Sequence, residues 1–244
     1  MSRITDINEL FAEIEEIITS LSSSYENAKS NSTTHQIPRA KVKGALEHLR
    51  SILEYCAQDV HMHVYGNNSG ELYFPYAKNE ALFNKHLTRS FKALRVRDPK
   101  IYDFMASVQP HVSGSNWLID LCGYTNTNKH KYLTPQVKKT KNSVTVGNLI
   151  RVSGNSSATF VNSTVNGAQI GKDSLTPVTI SDAMTNEEIV TQLNPGNPYI
   201  PVTRVTEEVK FFIEGSTNDA LSFIQDAKER ISKFVSQLYS EIEK

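Results

Sequence analysis

The sequence predicts an α+β protein: mainly a helical bundle, with a small antiparallel β insertion ahead of a long C-terminal helix. Three observations carry this. Apolar residues recur at helical intervals over roughly the first 60 positions and again over the last 30. After Lys141 the charges thin out and Ser, Thr, Asn and Val take over. Within that stretch, short β-branched runs are punctuated by Gly-Asn and Asn-Gly pairs, the chemistry of hairpin turns. The expected layout is a helical bundle over 1–141, a β-rich insertion over 142–213, and a helix over 214–244 that packs back on the bundle.

The first helix is expected to open at Asp6, with Glu9 at capping-box spacing and an apolar face of Ile7, Ile14, Ile18, Leu21 and Tyr25. A polar run from Asn27 to Gln36 breaks it, and Pro38 suits the first turn of a second helix. That helix carries Val42, Leu46, Leu49, Leu53, Cys56 and Val60 on one stripe, so the two should lie antiparallel. Residues 61–78 read as irregular, with Leu72 to Tyr76 extended ahead of and around Pro75. Asn79 should cap a helix through Leu94, Pro99 should open a short one ending before Pro110, and Trp117 should begin another running to about Leu133. Val144, Val146, Ile150 and Val152 carry a strand pattern with a break at Gly147-Asn148. Gly154-Asn155 and Asn166-Gly167 should turn on either side of Ala158 to Val161. Residues 171–201 hold four prolines and read as loop with one strand at Val178 to Ile180. Thr203 to Ile213 is a further strand, and the last helix should start near Ser216.

Lys+Arg and Asp+Glu are both 26, so no global charge drives binding to nucleic acid or membrane. No apolar run approaches the ~20 residues of a membrane span, and the N-terminal residues lack a signal-type hydrophobic region. The expected location is cytoplasmic. Cys56 and Cys122 are far apart on amphipathic helices and read as buried free thiols. His61-Met62-His63 is the best metal-like spacing if extended, yet no carboxylate or thiol cluster accompanies it, so no metal and no cofactor is expected. Phosphate-loop, dinucleotide-binding, zinc-protease and serine-hydrolase motifs are absent.

The chemically richest segment is Trp117 to Tyr124 running into Asn126-Thr127-Asn128-Lys129-His130-Lys131. Asn126 and His130 fall one helical turn apart, with Lys129 beside Asn126. The candidate catalytic set is therefore Asn126, Lys129 and His130. An imidazole moves protons near neutral pH, an ammonium stabilises an oxyanion or phosphate, and an amide orients either. The structural alternative is a polar helix end whose cations oppose the negative pole of the macrodipole.

Four segments also occur in a telling order: Leu49-Arg50-Ser51-Ile52-Leu53-Glu54-Tyr55, Tyr73-Phe74-Pro75, Gln109-Pro110-His111, and Trp117-Leu118 followed by Asn126 to Lys131. The set resembles an uncharacterised bacterial protein family that combines LRS-x-L, FP, QP and N-x-x-KH segments. This chain has Asn128 where that family favours an acid and Lys131 where it favours Arg. A weaker similarity is to HEPN-type helical domains, many of them metal-independent ribonucleases with an Arg four to six residues ahead of a His. Here His130 would be that histidine, and no arginine stands at that spacing. The resemblance implies RNA as a partner, with cleavage or binding in a bacterial defence or toxin system. The residues themselves point instead to a non-enzymatic interaction or assembly module that self-associates through its long helices or holds a protein partner, as a homo-oligomer without membrane contact.

Overall fold

A computed structural model describes residues 2–31, 33–66, 72–130, 133, 135–165, 168–193 and 201–243, with backbone only at Lys129, His130, Val165 and Ala168. It is an α+β fold. Helices α1 (Ile4–Ser30), α2 (Arg39–Tyr65), α3 (Glu80–Ser90), α4 (Leu94–Arg97), α5 (Pro99–Ser107), α6 (Pro110–Ser113) and α7 (Trp117–His130) come first. Strands β1 (Gln136–Val146), β2 (Ile150–Ser153), β3 (Ser157–Phe160), β4 (Thr164–Val165), β5 (Ala168–Gln169) and β6 (Val178–Ser181) follow, then helix α8 (Asn186–Leu193), strand β7 (Val202–Ile213) and helix α9 (Ala220–Ile242). The chain divides into two compact units. One is helical, built from Met1–Ser24, Gln36–Val137 and Phe211–Lys244; the other is β-rich, built from Tyr25–His35 and Lys138–Lys210.

In the helical unit the periodic stripes are what is buried. Ile7, Ile14 and Leu21 of α1, the stripe from Val42 to Val60 of α2, and Ile224, Ile231, Phe234 and Leu238 of α9 are all nearly inaccessible. Each such aliphatic side chain contributes about 1.5–3 kcal/mol on leaving water. α1 and α2 run antiparallel: Arg3 meets Asp59 near the far end of α2, while Lys41 near its start donates to Ser20. α9 packs on α2, α5 and α7. Asp59, buried in this core, accepts from the Arg3 amide (2.7 Å), the Arg3 guanidinium (2.5 Å) and the Tyr239 hydroxyl (2.5 Å), tying α1, α2 and α9 at one point. Burial, reinforced by the hydrogen bond to Asp59, keeps the Tyr239 phenol protonated well beyond its ordinary range.

The β-rich unit has its own core of Val144, Val146, Ile170, Val178, Ile180, Ile189 and Leu193. β1 and β2 form an antiparallel hairpin with Val144 opposite Val152, and β1 lies between β2 and β7. β3 pairs with β6, Phe160 opposite Val178, and β4 with β5. Gly171 is required where it stands: its φ is +86°, and an added Cβ would lie 2.5 Å from Val178 Cγ2.

Several boundaries differ from those the sequence suggests. α1 already begins at Ile4, so Asp6 lies inside its first turn rather than capping it. α2 continues through His61, Met62 and His63 to a left-handed Gly66, whose N–H bonds to Met62 O (2.9 Å). On a helix the two imidazoles diverge; His61 stacks on Tyr65 (4.7 Å) and His63 Nε2 faces Asp98 (3.8 Å). The helix capped by Asn79 stops at Ser90, and Ala93 at φ 60° separates it from α4. Residues 171–201, read as loop with one strand, contain helix α8, whose Thr185 and Glu188 form a reciprocal capping box (3.1 and 2.7 Å). β1 starts at Gln136 rather than near 142, and α9 starts after Asp219 rather than near Ser216. The Asn166-Gly167 turn and Pro195 and Pro198 lie outside the described residues.

Candidate functional site

α7 buries Leu118, Leu121, Cys122, Thr125 and Asn128, a face repeating every three or four residues. Thr125 sits inside because its hydroxyl returns to the Leu121 and Cys122 carbonyls (3.1 and 3.0 Å). Asn126 falls off this face and is exposed. Lys129 and His130 belong to the helix, but their side chains lie outside the described residues, as does Lys131. The amide that turns inward is Asn128, not Asn126. A depression of about 390 Å³ beside α7 is lined by Asp120, Gly123, Tyr124 and Thr127 but not by Asn126. There the Asn218 amide donates to Asp120 (3.1 Å) and to the Tyr124 hydroxyl (2.8 Å).

The other recurrent segments meet elsewhere on the same unit. Arg50 and Glu54, one turn apart on α2, are joined by Nε–Oε1 at 2.5 Å. Glu54 also accepts from the Phe74 backbone N–H. The Arg50 guanidinium donates to Cys122 Sγ of α7 and lies over the Tyr76 ring, 4.8 Å from its centre. Gln109 is wholly buried: its carbonyl accepts from Ala77 N–H (3.1 Å), and its amide donates to Pro75 O (2.9 Å) and Met105 O (3.3 Å). The LRS-type helix, the FP segment, the QP segment and the Trp117 helix are thus sewn together by two side chains from helices and one from a helix entry.

Burial works against the Arg50 charge, but Cys122 and Glu54 outweigh it and raise its pKa above the ordinary arginine value. Burial pushes the Cys122 thiol up to about 11, with Arg50 pulling the other way. Burial likewise raises Cys56, and both are free thiols. A thiol held protonated is a poor nucleophile and metal ligand. Among the described residues no group of three His, Cys, Asp or Glu is placed to hold a metal ion, and no helix is long and apolar enough to cross a membrane.

Comparison with known proteins finds no matching family model, no matching curated protein and no matching solved structure. The chemistry of the site therefore rests on its geometry. Sequence reasoning centred on α7 and gave Arg50 and Gln109 no role of their own. The available signal was that both lie in the ordered segments, and that Gln directly before Pro, in an otherwise apolar stretch, had to find backbone partners once buried.

Proposed function

We propose that this chain is a non-enzymatic interaction module in which the helical unit is a scaffold. The observation that carries this reading is the use made of the recurrent polar residues. Arg50, Glu54 and Gln109 are spent on one another's segments, on backbone amides and carbonyls, and on Cys122. Side chains so engaged hold α2, α5, α7 and the 72–77 segment in register; they do not converge on an open position for a reacting group. The apolar stripes of α1, α2 and α9, which suggested self-association, are already used inside the helical unit. That favours partner recognition through polar surface.

One observation favours a second reading, a HEPN-like metal-independent ribonuclease. Arg50 comes from α2 yet reaches α7 at Cys122, one turn ahead of Asn126, and so brings a guanidinium to the helix that His130 ends. In that reading His130 is the acid/base, Lys129 binds phosphate and Asn126 orients.

Incubating the purified chain with mixed-sequence RNA in excess chelator separates the two. The module reading expects intact RNA, with parent and His130→Ala indistinguishable. RNA cleavage by the parent, lost in His130→Ala while circular dichroism and melting are unchanged, would replace it with the ribonuclease.

A further inference from the structure

The β-rich unit carries two adjoining depressions, of about 790 and 380 Å³, that share Thr140 and Asn142. Both volumes lie within the ~300–1,000 Å³ range of small-ligand sites. The larger is bordered by the last turn of α1 and by β1 and β7. It is lined by Lys29, His35, Lys138 and Arg204 and by no carboxylate. Among the described residues the partners of Lys138 and Arg204 are backbone carbonyls. Lys138 Nζ donates to Ala28 O (3.2 Å) and Thr34 O (2.7 Å), and Arg204 to Asp182 O (2.6 Å) and Met184 O.

Carbonyl dipoles orient these cations without cancelling their charge. Part of Lys138 is offset by the negative pole of α1, whose Ala28 carbonyl it meets. Arg204 and Lys29 supply the remainder, since the counter-ion of Lys29 among the described residues is the exposed Glu26 (2.7 Å). A concave surface lined by one sign of charge focuses potential and attracts anions.

The smaller depression adds the opposite chemistry. Asp182 is 8% exposed and lines it. Its Oδ2 accepts from the Asn155 N–H (2.9 Å), whereas its buried Oδ1 has no hydrogen-bond partner among the described residues. A buried carboxylate oxygen without a donor favours a ligand that brings one. Lys141 also lines this depression.

We infer that the β-rich unit binds a ribonucleotide, its phosphate groups among Lys29, Lys138 and Arg204 and a ribose hydroxyl on Asp182. This rests on the reading of the chain as a binding module. No Phe, Tyr or Trp lines either depression, so the base is not stacked and recognition is independent of base identity. The same chemistry serves a free nucleotide or a stretch of single-stranded RNA. The hydroxyl contact to Asp182 separates ribose from deoxyribose.

The test is a binding titration of the full chain, at low and raised salt, with three probes: ADP, a mixed-sequence RNA oligomer and the matching DNA oligomer. The expected result is base-independent binding that weakens as salt rises and favours RNA or ADP over DNA. Lys29→Gln and Arg204→Gln each weaken it roughly three- to tenfold and flatten the salt dependence. Asp182→Asn removes the preference for ribose while leaving DNA affinity unchanged. Because Arg204 also holds two carbonyls, Lys29→Gln, whose side chain makes an exposed ion pair with Glu26, is the variant that cannot be dismissed as unfolded. ADP binding alone assigns the free nucleotide, and binding of RNA without ADP assigns the strand. No binding of any probe at low salt, or binding unaffected in Lys29→Gln and Asp182→Asn, would overturn the inference. Gel analysis of the recovered RNA keeps the two claims apart: intact RNA with neither ADP nor RNA bound rejects the ligand, whereas cleaved RNA rejects the module reading.

Discussion

Cys122 links the stability of the helical unit to pH. In the unfolded chain its thiol ionises near the ordinary value of about 9, in the folded chain at about 11, because burial penalises the thiolate. Below the lower value both states keep the proton, and the native packing contributes in full. Between the two values only the unfolded chain loses its proton, so stability falls as pH rises from about 9 through 11. The loss from this residue is on the order of 2 kcal/mol. Urea unfolding from about pH 8 to about pH 11 should show the decline, and Cys122→Ala should make it shallower. An equal slope in both chains would mean that the thiol is not buried as described. The burial of both cysteines was legible in the sequence from their place on apolar stripes. The partner of Cys122 was not, because Arg50 lies on another helix and nothing in local spacing announces a contact across 72 positions.

At the scale of elements, periodicity and caps carried most of the information. The stripes of α1, α2 and α9 were legible because an amphipathic repeat states both the helix and its buried face. Where boundaries were missed, the cause is specific. α2 runs on to Tyr65 because Gly66 serves as its left-handed C-cap, whereas read locally it belongs to the following turn. α8 had a capping box at Thr185 and Glu188 leading to Ile189 and Leu193, but the surrounding prolines suggested loop. The start of α9 could not be decided locally, since Ser216, Thr217, Asn218 and Asp219 are all competent caps. Tertiary structure decides it: Asp219 Oδ2 accepts from the Ser222 N–H (3.1 Å) and hydroxyl (2.9 Å), and Oδ1 accepts from the Phe211 N–H of β7 (2.8 Å). Asp219→Ala should therefore cost more than an ordinary cap, about 2–3 kcal/mol, because a buried strand amide also loses its partner. Asp219→Asn, which keeps acceptor and shape, should lose about 1 kcal/mol or less by thermal or urea unfolding. Equal losses in the two variants would contradict this double role.

At the scale of the whole molecule, the sequence separated a helical part from a β-rich part by composition, and it marked α7 as the segment to watch. It could not show that Asn126 faces solvent while Asn128 turns inward, because a run of alternating amides has no hydrophobic period of its own. Nor could it show that Lys29, Lys138, Arg204 and Asp182 share one region of the β-rich unit, as they come from segments up to 175 positions apart (29 to 204). The central claim is that the recurrent polar residues of the helical unit hold its segments together. Its most direct measurement is the urea unfolding free energy of Arg50→Ala and Gln109→Ala beside Asn126→Ala. Gln109→Ala strands two backbone carbonyls and an amide, and Arg50→Ala leaves Glu54 without its cation. Each should lose about 2–4 kcal/mol, whereas Asn126→Ala should stay within about 0.5 kcal/mol of the parent. Arg50→Ala and Gln109→Ala as stable as the parent would contradict the claim.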